Sequence, residues 1–102
     1  MKVLLICSGG MSTQILINSL EKEAKNLQIN NFSANAIGLP EMDEYQNDFD
    51  IILVAPQVKY RYDQVEQFAK SKNKLIYQIQ MVEYTPLGAN KLLTNIKRLM
   101  EE

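Results

Sequence analysis

The chain has 102 residues, 46% of them apolar, and eleven basic against twelve acidic side chains give a net charge of −1. That suffices for one domain with an ordinary core, residues 1–102, and leaves no room for a second. The scattered, balanced charge offers no footprint for nucleic acid. Histidine is absent and cysteine occurs once, which excludes Cys/His zinc centres, Ser-His-Asp triads, Cys-His dyads, C-x-x-C redox pairs and an internal disulfide.

Lys2–Cys7 reads as a buried strand, because Val3-Leu4-Leu5-Ile6 is an unbroken apolar run. Leu16, Leu20, Ala24 and Leu27 then recur at helical spacing, predicting a helix from about Ser12 to Leu27. Cys7 opens the loop that joins them, Ser8-Gly9-Gly10-Met11-Ser12-Thr13. A strand, a glycine loop and a helix start make an anion site: glycines accept the positive φ values that turn successive N–H groups toward one point, and the helix adds unpaired donors and the positive end of its dipole. The same field favours a thiolate and stabilises a phosphoryl group attached to sulfur. Cys7 therefore reads as a phosphate-accepting nucleophile. A core cysteine is the competing reading, since free cysteine is among the most buried residue types. Gly9-Gly10 as a plain turn and Ser12 or Thr13 as an N-cap are compatible with either role. Position 15 is Ile, so no capping box accounts for the hydroxyl cluster.

Ser33–Ile37 is weakly alternating and polar, as an edge strand would be, whereas Ile51–Val54 is a continuous β-rich run that belongs at the sheet centre. Glu41, Asp43, Glu44, Asp48 and Asp50 stand between them at a spacing that fits no calcium loop, so a solvated connector is expected, with no metal and no cofactor. Tyr62, Val65, Phe68 and Ala69 give a further helix its face, Lys74–Ile79 a fourth strand, and Ala89, Leu92, Leu93, Ile96, Leu99 and Met100 a terminal amphipathic helix. The economical assembly is βαβαβαβα: an open parallel sheet of order 2-1-3-4 with helices on both faces. Ligands of such sheets bind beyond the strand carboxyl ends where the winding reverses, here between strands 1 and 3, where Cys7 stands. The loop Ala55-Pro56-Gln57-Val58 should lie beside it, making Gln57 a candidate neighbour or simply a strand terminator. Apolar stretches of about six residues are too short to span a membrane and Met1-Lys2-Val3 opens no signal pattern; a soluble cytoplasmic protein is expected.

Neither G-x-x-x-x-G-K-[ST] nor G-x-G-x-x-G is present. The Cys-Ser-Gly-Gly-Met-Ser-Thr stretch closely resembles the active loop of the IIB component of the bacterial sugar phosphotransferase system, lactose/cellobiose family. Ala55-Pro56-Gln57-Val58-Lys59-Tyr60 resembles that family's Gly/Ala-Pro-Gln-x-x-Tyr stretch. The resemblance implies a relay in which a IIA protein passes phosphate from histidine to Cys7, and Cys7 passes it to a sugar held by membrane IIC, with which the protein would associate transiently. It favours cellobiose- or chitobiose-like members. The amides of Ser8 through Thr13 would hold the phosphoryl group, helped by the hydroxyls of Ser8, Ser12 and Thr13. Gln14 departs from the small or hydroxylated residue expected at its place. The fold implied is that of low-molecular-weight tyrosine phosphatases, the rival reading: their C-x5-R arginine falls at Thr13, which cannot form a bidentate clamp, and no Asp-Pro pair supplies their acid. A nonenzymatic phosphate-sensing module is the third possibility.

Overall fold

The computed structural model describes residues 1–8 and 12–101, Ser12 by its backbone alone. Seven principal elements follow one another: β1 (Lys2–Cys7), α1 (Ser12–Asn26), β2 (Ser33–Gly38), β3 (Ile51–Val54), α2 (Tyr62–Ser71), β4 (Leu75–Gln78) and α3 (Ala89–Glu101). All strand pairs are parallel and the order is β2-β1-β3-β4, as the apolar patterning requires. Val3 through Cys7 and Ile51 through Val54 are buried, so the two continuous apolar runs form the central pair. The polar β2 lies at one edge, and all six of its residues are half-buried or exposed.

The winding runs outward in both directions from the central pair: β1-α1-β2 one way, β3-α2-β4 the other. Right-handed crossovers then place α1 and α2 on opposite faces. α1 packs against α3, while α2 lies on β3 and β4 and stacks Phe68 on Phe49, ring centroids 6.1 Å apart. The connection from β2 to β3 departs from the expected βαβαβαβα alternation. It holds a six-residue 3-10 turn, Leu39–Glu44, in place of an α-helix. The reason is local: Pro40 falls in the first turn, and Met42 is the one residue of the turn that is buried, so the segment has an anchor and no apolar stripe.

Two helix ends are closed by left-handed residues that are not glycine. Gln28 (φ 58°) ends α1, with Ile29 N–H donating to Ala24 C=O and Gln28 N–H to Lys25 C=O. Asn73 (φ 58°) ends α2 with the corresponding bonds to Ala69 and Lys70. Both are Schellman closures, and they stop each helix where its strand-bound linker must begin.

Candidate active site at the carboxyl end of the sheet

Cys7 is the last residue of β1, opposite Gly38 at the end of β2. It is 4% exposed, and its S–H donates to the Ile37 carbonyl at 3.4 Å. Ser8 follows and is exposed. Gly9, Gly10 and Met11 lie outside the described residues; of the predicted anion loop the structure describes the two ends, Cys7–Ser8 and the start of α1 at Ser12. The positions that bracket the loop agree with the sequence reading: a strand carboxyl end feeds into a helix amino end at the reversal point of the sheet.

Thr13, in the first turn of α1, is 4% exposed, and its hydroxyl lies 3.1 Å from the Tyr84 hydroxyl. Gln57 lies in the 3-10 turn Pro56–Arg61 that follows β3 and packs on β1. The Ala55 N–H, donating to Ile6 C=O at 2.9 Å, ties that turn to the strand bearing Cys7. The Gln57 side chain itself is exposed, and makes no hydrogen bond among the described residues. Gln14 is exposed too and donates to Asn18 along the helix at 3.0 Å. Its departure from the family pattern is spent on the helix surface.

The segment between β4 and α3 holds functional-looking chemistry that the sequence reading passed over. Glu83 is 1% exposed and accepts three hydrogen bonds: from the Gln80 N–H at 2.8 Å, the Tyr77 hydroxyl at 2.7 Å and Asn95 Nδ2 at 2.7 Å. Burial, and next the hydrogen bond to Glu83, push the Tyr77 phenol above its ordinary value of 10.0. The segment then folds back on itself. Thr85 caps the turn Pro86–Gly88 through the Gly88 N–H at 3.1 Å. A Cβ on Gly88 would collide with the Val82 carbonyl oxygen, so only glycine allows this approach. A signal was present in the sequence. A glutamate three residues after Gln80 and enclosed by Met81, Val82 and Tyr84 has the spacing of a helix-start box, although Gln is an unusual residue to begin one.

Around the carboxyl end of the sheet several apolar side chains face solvent. Ile15 projects from the first turn of α1, Tyr60 from the turn after β3, and Met81, Val82 and Leu87 from the segment after β4, Leu87 being 97% exposed.

Comparison with known proteins gives the same picture. The family described as PTS system, Lactose/Cellobiose specific IIB subunit, matches residues 2–95. The chain is 26% identical over 99 residues to the oligo-beta-mannoside-specific EIIB component of Bacillus subtilis, covering 97% of this chain and 95% of that one. It is 32% identical over 85 residues to the lactose-specific EIICB component of Staphylococcus haemolyticus, where 83% of this chain spans only 14% of the relative. Among solved structures, the lactose-specific IIB domain of Streptococcus pneumoniae superposes with a TM-score of 0.79 at 25% identity, over 95% of this chain and 94% of that one. The cellobiose-specific IIB component of Borrelia burgdorferi gives a TM-score of 0.69 at 34% identity, over 92% and 85%. Fold, strand order and loop position thus converge with the comparisons: the chain belongs to the lactose/cellobiose-specific IIB subunits of the phosphotransferase system, transferases that relay a phosphoryl group to a sugar during uptake.

Proposed function

We propose that Cys7 is the residue that carries the phosphoryl group. The observation behind this is its place: the chain's single thiol stands where β1 gives way to the glycine loop and the amino end of α1, at the point where the sheet reverses direction. In the first half-reaction the sulfur attacks the phosphorus of a phosphohistidine on a IIA protein; the P–S bond forms, the P–N bond breaks, and the imidazole leaves with the electron pair and takes up the proton that the Cys7 thiol gives up. In the second, a sugar hydroxyl oxygen attacks, the P–O bond forms, the P–S bond breaks, and the hydroxyl proton is released as the thiolate returns. Neither step asks the protein for more than in-line positioning and neutralisation of the equatorial oxygens, which the amides of residues 8–13 supply.

The Cys7 S–H is donated to Ile37 in the resting protein. Attack requires that bond to break and the loop amides to take over the sulfur's charge. The exposed apolar side chains Ile15, Tyr60, Met81, Val82 and Leu87 all belong to segments at the carboxyl end of the sheet, and a concentration of exposed apolar groups suits protein docking. They suit successive contact with a IIA donor and with the membrane IIC component that holds the sugar, a β-linked disaccharide of the cellobiose or chitobiose kind. No helix among the described residues is long and apolar enough to cross a membrane, which fits a domain that visits the membrane through IIC from the cytoplasm.

The test is incubation with phosphoenolpyruvate, the general carriers and a lactose- or cellobiose-type IIA, followed by intact-mass measurement and peptide mapping. One phosphoryl group on Cys7 is expected. Cys7→Ser should accept none while remaining folded, because exchanging sulfur for oxygen leaves little cavity and keeps a donor for Ile37. Label on a serine, threonine or carboxylate of the wild type would remove Cys7 from the role.

A further inference from the structure

Donors at a helix start point usefully toward an anion only if that helix start is itself fixed. The first turn of α1 carries amides without intrahelical partners, and Thr13 stands in that turn, almost wholly buried. Its hydroxyl bond reaches 71 residues along the chain to Tyr84. Tyr84 in turn follows Glu83, whose carboxyl group is gripped by β4 through Tyr77, by α3 through Asn95 and by its own turn through Gln80. The contact of Gly88 with Val82 and Glu83 closes the segment from the other side. A rigid strut therefore runs from the sheet and α3 to the helix end that faces the loop.

We propose that Tyr84 is a positioning residue for the phosphoryl relay: through Thr13 it sets the direction of the amides at the start of α1. This rests on the reading of Cys7 given above. The pair holds two hydroxyl hydrogens and uses one between its own oxygens. When Tyr84 donates, the hydrogen of Thr13 is left for a phosphoryl oxygen, and the two hydroxyls polarise each other.

The experiment is single-turnover transfer to this protein from a lactose- or cellobiose-type IIA phosphorylated from phosphoenolpyruvate, at a series of IIA concentrations and well below the unfolding midpoint. Loss of one hydrogen bond at the transition state corresponds to about three- to tenfold in rate. Tyr84→Phe should lower the limiting rate by that factor and leave the half-saturating IIA concentration unchanged. Thr13→Val should lose at least as much, adding Tyr84→Phe to it should cost nothing further, and Thr13→Ser should restore transfer to within about twofold of wild type. The proposal is overturned if Tyr84→Phe transfers at the wild-type rate, if it raises only the half-saturating IIA concentration, or if its effect multiplies with that of Thr13→Val. A wild type that takes no phosphoryl group on Cys7 overturns the relay reading and this proposal together, a result distinct from an active wild type with an unaffected variant.

Discussion

On the relay reading, Thr13 is the position that separates this loop from the phosphatase pattern. In the phosphatase pattern its place belongs to an arginine, and from the sequence alone an arginine there looks able to grip a phosphomonoester. The structure gives that substitution a different outcome. Thr13 is buried and engaged by Tyr84, so Thr13→Arg has to push a charged side chain into a closed slot and break the hydroxyl pair. It should destabilise the protein by on the order of 2 kcal/mol or more, seen as an earlier urea midpoint, with no gain in aryl phosphate turnover. A stable, hydrolytic variant would show that the slot is open. The place of Cys7 at the end of β1, ahead of the start of α1, was legible in the sequence because the apolar run stops there and a helical period begins soon after. The partner of Thr13 was not, because a contact between residues 13 and 84 exists only once α1 and the segment after β4 are packed.

At the level of elements, the central strands and the three helices could be read from apolar periodicity, and their ends fell within a residue or two of expectation, as with α1 stopping at Asn26 rather than Leu27. The connector between β2 and β3 was read as solvated and acidic, and it holds a 3-10 turn where a strict βαβαβαβα alternation would put a helix, because Pro40 falls in its first turn and only Met42 is buried. The Glu83 hub escaped notice because acidic residues are exposed far more often than buried. Its partners make the consequence of removing it definite. Glu83→Ala leaves the Gln80 N–H, the Tyr77 hydroxyl and the Asn95 amide without their acceptor in a buried site. A loss of about 2–4 kcal/mol in urea unfolding is expected; a loss below about 0.5 kcal/mol would mean that water replaces the carboxyl group at no cost. In the opposite direction, Gln28 holds a left-handed conformation that costs a side-chain-bearing residue about 1–2 kcal/mol. Gln28→Gly should therefore raise stability by about 0.5–1 kcal/mol after the added chain entropy of glycine, a rise of a few degrees in Tm by calorimetry.

For the molecule as a whole, the alkaline limit of stability has an identifiable source. Tyr77 is held above its ordinary 10.0 chiefly by burial and then by Glu83, and Tyr62 is raised by burial and by the neighbouring Glu66 and Asp63. The folded state keeps these phenolic protons more tightly than the unfolded chain does. Their contribution is fully present below about pH 10 and is lost as the pH climbs through the raised folded values. Urea unfolding between about pH 8 and 11 should show wild type losing stability more steeply than Tyr77→Phe above pH 10; equal slopes would detach Tyr77 from the effect. On the proposed reading, the larger architecture, a sheet of order β2-β1-β3-β4 with Cys7 at its reversal point, receives a phosphoryl group from a IIA protein and passes it to a sugar. That claim is tested most directly by a pulse and chase. Cys7 is loaded with radiolabelled phosphate from phosphoenolpyruvate through IIA, the protein is freed of donor, and membranes bearing a lactose/cellobiose-type IIC are added with and without a β-linked disaccharide. The label should stay on Cys7 in the absence of sugar and move to sugar phosphate when the disaccharide is present; release as inorganic phosphate at the same rate in both arms would contradict the relay.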